Sequence, residues 1–154
     1  YSGDLDSATG LVIYDEYPKP VFLEPPRYLP ENIKAFFLQA SNSLDYGNLD
    51  ASAIMSRKVL EVAAKKLDPV GSGKLYNRIE QLHDLGKITD DLKDWAHIIR
   101  DDGNEAAHEE EPVTSEFASD LLSFVEMFLM YTFTMPGMVK EKMPESENSQ
   151  SVAP

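Results

Sequence analysis

An arginine, an amide and a histidine stand four residues apart between Arg100 and His108, with Asn104 in the middle. On a continuous helix, this spacing aligns all three side chains along one stripe. Histidine can act as a general acid or base near neutral pH, and arginine can stabilise charge that develops on phosphate. These residue types are those that metal-free RNA cleavage by the 2′-hydroxyl requires.

The same segment also has a structural interpretation, which the sequence favours. In it, Gly103 ends a helix, Asn104 caps the next segment, and His108 ties the loop to a neighbouring backbone. If the helix instead continues, Arg100 and His108 are separated by about 12 Å, at about 1.5 Å of rise per residue. Catalysis would then require two copies that meet across a two-fold axis.

Arg57 and Glu61 are the second pair of candidate binding residues. Their spacing of four residues suits a salt bridge on a helix, and this ordinary pairing is the first expectation. The alternative is that Arg57 projects toward Asn104 and His108 and supplies the cation.

Three glutamates follow His108, and carboxylates and imidazole are both metal ligands. Consecutive side chains rarely all face one ion, so the sequence predicts a solvated acidic loop, with no metal and no cofactor. His83 and His97 stand apart from this group and are expected to be structural. The chain has no cysteine, which excludes disulfides and thiolate sites within these residues.

The charge of this 154-residue chain is strongly acidic and unevenly distributed, with a formal net value of −13. Residues 57–78 carry +4, whereas residues 101–120 carry −8. Such a balance repels nucleic acid on average, so RNA is a partner only as an alternative. The longest apolar stretch, 124–133, is interrupted by Glu126. Because it is shorter than a bilayer span, we expect no membrane contact and a cytoplasmic protein.

Apolar residues recur at helical spacing in five segments, which predicts an all-α, up-and-down bundle of about five helices. The first begins at Pro30 and ends near Gly47, and Asp50 caps a second, the central helix, in which Ile54 is an apolar position. A third helix covers 74–83, and Thr89 and Thr114 cap the fourth and fifth. The expected organisation is an extended arm over 1–28, a helical domain over 29–135 and a disordered tail over 136–154.

Several ordered blocks resemble the bacterial family called domain of unknown function 4145, across roughly residues 29–135. They are LPE at 29–31, SRKVLE at 56–61, LYNRIEQL at 75–82, LGKI at 85–88, and the segment from Arg100 to His108. That family looks related to the HEPN superfamily of helical bundles, which often dimerise and include metal-independent ribonucleases, toxins and phage-defence components.

The resemblance implies a ribonuclease motif of arginine, a polar residue, three further residues and histidine. Asn104 and His108 match its polar residue and histidine, while Gly103 stands at the arginine position and Arg100 lies three residues upstream. Two functions are consistent with this pattern. The first is a non-catalytic interaction or dimerisation module, accessory to a defence-type or nucleic-acid-related system, which binds a second copy or another protein. The alternative is a metal-independent endoribonuclease that uses His108 with Arg100 or Arg57.

Overall fold

The computed structural model describes residues 24–106 and 110–145, and helices make up most of them. In chain order they are α1 (Glu31–Asp45), α2 (Leu49–Leu67), α3 (Leu75–Asp84), α4 (Asp90–Ala106), α5 (Ser115–Leu129), a π turn (Met130–Thr134) and α6 (Met135–Lys142). The described ranges contain no strand, and five helices pack together, so the all-α prediction is confirmed. Most of the expected arm, residues 1–23, lies outside the described residues.

The helix α2 lies at the centre of the bundle and packs against α1, α3 and α5, as its apolar content predicted. Small buried residues such as Ser52 and Ser56 let neighbouring helices approach it closely. The hydroxyl of Ser52 donates a hydrogen bond to the carbonyl oxygen of Ala40 on α1, at 2.8 Å. Ile54, one of the apolar positions of this helix, is 65% exposed. It lies on the side of α2 that the described helices leave uncovered.

The helix caps were predicted well where they depend on local hydrogen bonds. The hydroxyl of Thr89 accepts from the N–H of Leu92, and that of Thr114 accepts from the N–H of Phe117, both at 3.1 Å. Gly47 follows α1 with a φ of +76°, a left-handed conformation that glycine adopts without strain.

Asp50 is not the cap of α2, which begins at Leu49 after Asn48. Its carboxylate instead accepts a hydrogen bond at 3.0 Å from the backbone N–H of Val113, just ahead of α5. The local sequence pattern predicted that the Asp50 carboxylate caps its own helix. It instead accepts a hydrogen bond from a residue 63 positions later in the chain.

Gly103 lies within α4, which runs on to Ala106, so the expectation that it ends the helix is wrong. A Cβ atom at this position would lie 3.2 Å from Cζ of Phe117 on α5. The glycine therefore leaves room for the Phe117 ring to pack against α4. This packing explains why a glycine lies inside the helix, where glycine is otherwise unfavourable.

The last helix extends beyond its predicted end, because α6 runs to Lys142. The disordered tail predicted from residue 136 is thus wrong up to that point, while 146–154 lie outside the described residues. Pro136 is tolerated because it stands in the first turn of α6, directly after the π turn. Tyr28 packs on Gly137, and the Thr134 hydroxyl donates to the carbonyl oxygen of Arg27 at 2.7 Å.

The run Ser115–Lys142 is long and apolar enough to cross a membrane by length and composition alone, with a mean hydropathy of 1.3 over an 18-residue window. Its first half, however, supplies fully buried residues to the bundle, including Phe124, Val125 and Phe128. Packing of the core therefore accounts for much of this apolarity.

His83 and His97 both connect α3 to α4, which agrees with the structural role expected of them. His83 Nε2 hydrogen-bonds to the carboxylate of Asp90, and His97 Nε2 does so to that of Glu80. The hydrogen bond from His83 lowers the pKa of Asp90 below its ordinary value.

We expect Gly137→Ala to destabilise the protein by about 1–3 kcal/mol through overpacking. The added Cβ would lie 2.5 Å from Cγ of Tyr28, too close for the ring to stay in place. Urea unfolding followed by circular dichroism measures the cost. In a Tyr28→Ala background, the same change should be neutral or stabilising, since alanine is favoured over glycine in helices by about 1 kcal/mol. An equal cost in both backgrounds would contradict this packing account.

Candidate functional site

A cleft of about 380 Å³ opens between α2, α3, α4 and α5. This volume is within the range of ordinary ligand pockets. Its lining residues are Asp50, Ala53, Ile54 and Arg57 from α2, Tyr76 from α3, Ile99, Arg100 and Gly103 from α4, and Val113, Phe117 and Leu121 from the start of α5 and the residues before it. Two of the predicted candidates, Arg57 and Arg100, therefore line one cleft.

The core positions of α2 and α4 determine where these arginines lie. Ser56 and Val59 are buried beside Arg57, and Ile99 is buried beside Arg100. Because neighbouring helical residues point in different directions, the buried positions leave both arginines on the exposed sides of their helices, at the cleft.

The positive charges of both arginines affect the phenol of Tyr76. The guanidinium of Arg100 lies over the Tyr76 ring, with Cζ 5.4 Å from the ring centroid, a cation–π arrangement. Burial raises the pKa of Tyr76, and the positive charges of Arg57 and Arg100 oppose this effect without cancelling it. The phenol is therefore neutral at physiological pH and can donate a hydrogen bond.

The two guanidinium groups have no carboxylate partner among the side chains that the structure describes. In particular, the expected salt bridge between Arg57 and Glu61 does not form, because Arg57 lies at the cleft beside Tyr76. Glu61 lines a neighbouring surface groove along α2 instead. The cleft thus carries two positive charges in an acidic protein, with Asp50 as the acid on its lining.

The remaining residues of the predicted motif lie at and beyond the end of α4. Asn104 belongs to the last turn of that helix, directly after the cleft residue Gly103. His108 lies outside the described residues. The structure therefore brings Arg57, Arg100 and Gly103, the residue before Asn104, to the lining of one cleft.

Sequence reasoning missed Tyr76, which lies inside the block LYNRIEQL without an assigned role. It stands next to the buried positions Leu75 and Ile79 but off their stripe, and is only partly buried. An aromatic residue with a polar tip beside an apolar stripe was the available signal, since such side chains commonly lie at the edge of a core.

Within residues 24–106 and 110–145, no three histidine, aspartate or glutamate side chains are grouped closely enough to hold a metal ion. His108 and Glu109 of the acidic loop fall in the gap between those ranges.

We expect Arg57→Gln to raise the pKa of Tyr76 further, because it removes a positive charge that stabilises the phenolate. NMR titration of ¹³C-labelled tyrosine, with Tyr76→Phe to assign the signal, measures the change. Lys65→Gln is the matched control, since it removes a charge from α2 outside the cleft lining. A fall in the Tyr76 pKa in Arg57→Gln would contradict the geometry described.

Comparison with curated proteins and with solved structures found no significant match. The family model described as "Domain of unknown function (DUF4145)" matches residues 38–146. That stretch begins within α1, contains all the residues of the cleft, and extends past the end of α6. It covers more than half of the chain, and it confirms the family suggested by the sequence blocks. The chain belongs to the DUF4145 family.

Proposed function

We propose that this domain is a non-catalytic helical interaction module, HEPN-like in fold, that pairs with a second copy of itself. Its contact surface is the methionine face, formed by Met127, Met130, Met135 and Met138 of α5, the π turn and α6. In this proposal the domain is an accessory part of a bacterial defence-type or nucleic-acid-related system.

The exposure of the methionine face carries the proposal. Its four side chains are between 37% and 48% exposed, although they lie in α5, the most apolar helix of the bundle, or in the helical segment that continues it. The chain has six methionines in all, so this helix concentrates most of them. Methionine is flexible and polarisable, and exposed apolar surfaces rich in it are typical of docking sites.

The π turn aligns the two halves of this face. The backbone N–H of Met135 donates to the carbonyl oxygen of Met130, five residues earlier. This wider turn places Met135 nearly above Met130, whereas a regular α-helix would rotate it away. Met127 and Met138 each stand three residues from one end of that pair, at helical neighbour spacing. The π turn therefore supports one continuous apolar strip.

The charge pattern favours a second copy as the occupant of this face. Two copies at −13 each repel one another, so their contact needs a surface without charge. From Met127 to Val139 the sequence contains no charged residue. A two-fold dimer uses the same patch on both copies, which suits a single uncharged strip.

The expected result is a dimer in sedimentation-velocity experiments. The double variant Met130→Lys/Met135→Lys should weaken association by more than about tenfold, or at least about 1.4 kcal/mol, because two charges would enter an apolar contact. Val70→Lys is the control, since Val70 is 93% exposed and lies in the loop between α2 and α3.

Circular dichroism establishes that all three proteins have the same helix content. A parent chain that sediments as a monomer at every concentration would contradict self-association. A dimer that survives in the double variant would show that another surface is used.

A second candidate function is metal-independent RNA cleavage, which the convergence of Arg57 and Arg100 favours. In the ribonuclease motif an arginine precedes the polar residue, and here Gly103 takes that position. Arg57 and Arg100 line the same cleft as Gly103, so either one can supply the missing positive charge near the motif.

In this alternative, His108 removes the proton from the 2′-hydroxyl, whose oxygen then attacks the adjacent phosphorus. The bond to the 5′-oxygen breaks and the leaving oxygen takes a proton from water, which leaves a cyclic phosphate and a new 5′-hydroxyl. An arginine stabilises the charge that develops on the phosphate oxygens.

Cleavage of labelled single-stranded RNA and tRNA in EDTA tests this alternative. His108→Ala should lower the rate by about 10²–10⁴-fold through loss of the base, and Arg57→Gln should lower it as well. Lys65→Gln should cleave like the parent. Thermal unfolding of each variant separates loss of chemistry from loss of fold. A parent without activity, or a His108→Ala variant with full activity, would exclude this mechanism.

A further inference from the structure

We propose that residues 11–16 of this chain bind in the α2 groove, a surface groove along the exposed side of α2. Its lining residues are Ile54, Arg57, Lys58, Glu61, Val62 and Lys65. The occupant is a segment of the same chain that lies outside the described residues. The proposal holds whether or not the domain dimerises through the methionine face, and whether or not it cleaves RNA.

The α2 groove carries positive charge on a protein that is acidic overall. Three of its lining residues are basic and one is acidic, which leaves a net positive groove on a chain at −13. No salt bridge within residues 24–106 and 110–145 involves any of these four side chains. Charges more than about 8–10 Å away are largely screened at physiological ionic strength, so the local charges determine what binds. The groove therefore favours an acidic occupant.

The same groove also exposes apolar surface. Ile54 is 65% exposed, and Val62 is only partly buried. The Lys58 ammonium lies 4.6 Å from the centroid of the Phe36 ring on α1, a cation–π contact that places this charge on the α1 side of the groove. The volume of about 480 Å³ leaves room for side chains of another segment. A matching occupant has apolar side chains next to carboxylates.

Residues 11–16 have this composition. They read LVIYDE, four apolar or aromatic residues followed by two acidic ones. Residues 1–23 as a whole contain four acidic residues and one lysine, a formal charge of −3. The other stretches outside the described residues, 107–109 and 146–154, contain no run of more than two apolar residues. Charge and apolarity together therefore select 11–16 among these stretches.

The connecting chain is long enough to reach the groove. Phe36, which contacts Lys58, lies six residues after Pro30, about 9 Å along α1 at about 1.5 Å per residue. Eight residues lead from Glu16 to Glu24, the first described residue, and they span up to about 26 Å when extended. This length exceeds the diameter of a helix, about 10–12 Å, so the segment can cross α1 to α2.

The tether also lowers the affinity that the contact needs. A segment joined to its site by a short linker has an effective concentration of about the millimolar range. A contact that is too weak to form between separate molecules at micromolar concentration is therefore well occupied within one chain. The covalent connection thus favours the chain's own segment over a free acidic peptide.

Paramagnetic relaxation enhancement in the full chain tests the inference. The chain has no cysteine, so one substitution provides a unique site for a nitroxide label. A label on Lys66→Cys stands on α2 without replacing a residue of the groove lining, and it should broaden the backbone amide signals of residues 11–16. Ile98→Cys is the matched control, because Ile98 is exposed on α4, outside the groove lining. A label there should leave these signals sharp.

The charge pairing has its own test. With the label on Lys66→Cys, the added change Lys58→Glu/Lys65→Glu should weaken docking by about tenfold or more, and so reduce the broadening. The same change of charge at Lys74→Glu/Lys87→Glu lies outside the groove lining and is the control. It should leave the broadening as in the parent.

Exchange of the charges should restore the contact. Asp15→Lys/Glu16→Lys, added to the labelled chain with Lys58→Glu/Lys65→Glu, should return the broadening, because each contact again joins opposite charges. Circular dichroism shows that every variant keeps its helix content.

Four results would overturn the proposal. They are equal broadening of residues 11–16 by labels at Lys66→Cys and Ile98→Cys, unchanged broadening in the folded Lys58→Glu/Lys65→Glu chain, stronger broadening by a label at Met138→Cys, and broadening that arises only between copies. The last is measured in a mixture of ¹⁵N-labelled chains without nitroxide and unlabelled chains with it. Loss of dimerisation in the methionine variant with retained broadening would separate this inference from the proposed function.

Discussion

The burial of α2 against three neighbouring helices is the constraint on which the rest of the structure depends. Small side chains such as Ser52 and Ser56 face these neighbours, and the Ser52 hydroxyl hydrogen-bonds to α1. The side of α2 that remains exposed to solvent carries Ile54 and Arg57. The same packing that places α2 at the centre therefore fixes the position of Arg57 at the edge of the cleft.

The continuous helical segment from α5 to α6 contributes both to the buried core and to the exposed surface. Phe124 and Phe128 fill the core along α5, whereas Met130 on the π turn and Met135 at the start of α6 are exposed to solvent. The extra residue in that turn shifts the phase of the helix, so that α6 does not simply prolong the buried stripe of α5. Tyr28 then covers another side of α6 at Gly137. The change of phase separates the buried stripe of α5 from a surface that is exposed to solvent.

Local signals predicted the helices and most caps, because apolar spacing and side-chain caps such as Thr114 act within one or two turns. Contacts between distant segments were not predictable in this way. The ring of Phe117 explains why a glycine stands at position 103 within a helix. The backbone N–H of Val113 donates a hydrogen bond to the carboxylate of Asp50. For the candidate site, residue type and spacing identified Arg57 and Arg100 separately. That they share one cleft with Tyr76 depends on how α2, α3 and α4 pack, which no local pattern encodes.

Gly103 connects this packing to the chemistry of the motif. A Cβ there would lie 3.2 Å from the Phe117 ring, so any larger residue at this position would push that ring by a few tenths of an ångström. The glycine at this motif position lets Phe117 pack against α4, and the positive charges of the cleft come from other positions. Arg57 and Arg100 line the same cleft and have no acidic partner in the described part of the chain. The glycine and the two arginines are thus one arrangement, in which an apolar wall and a positively charged edge fit together.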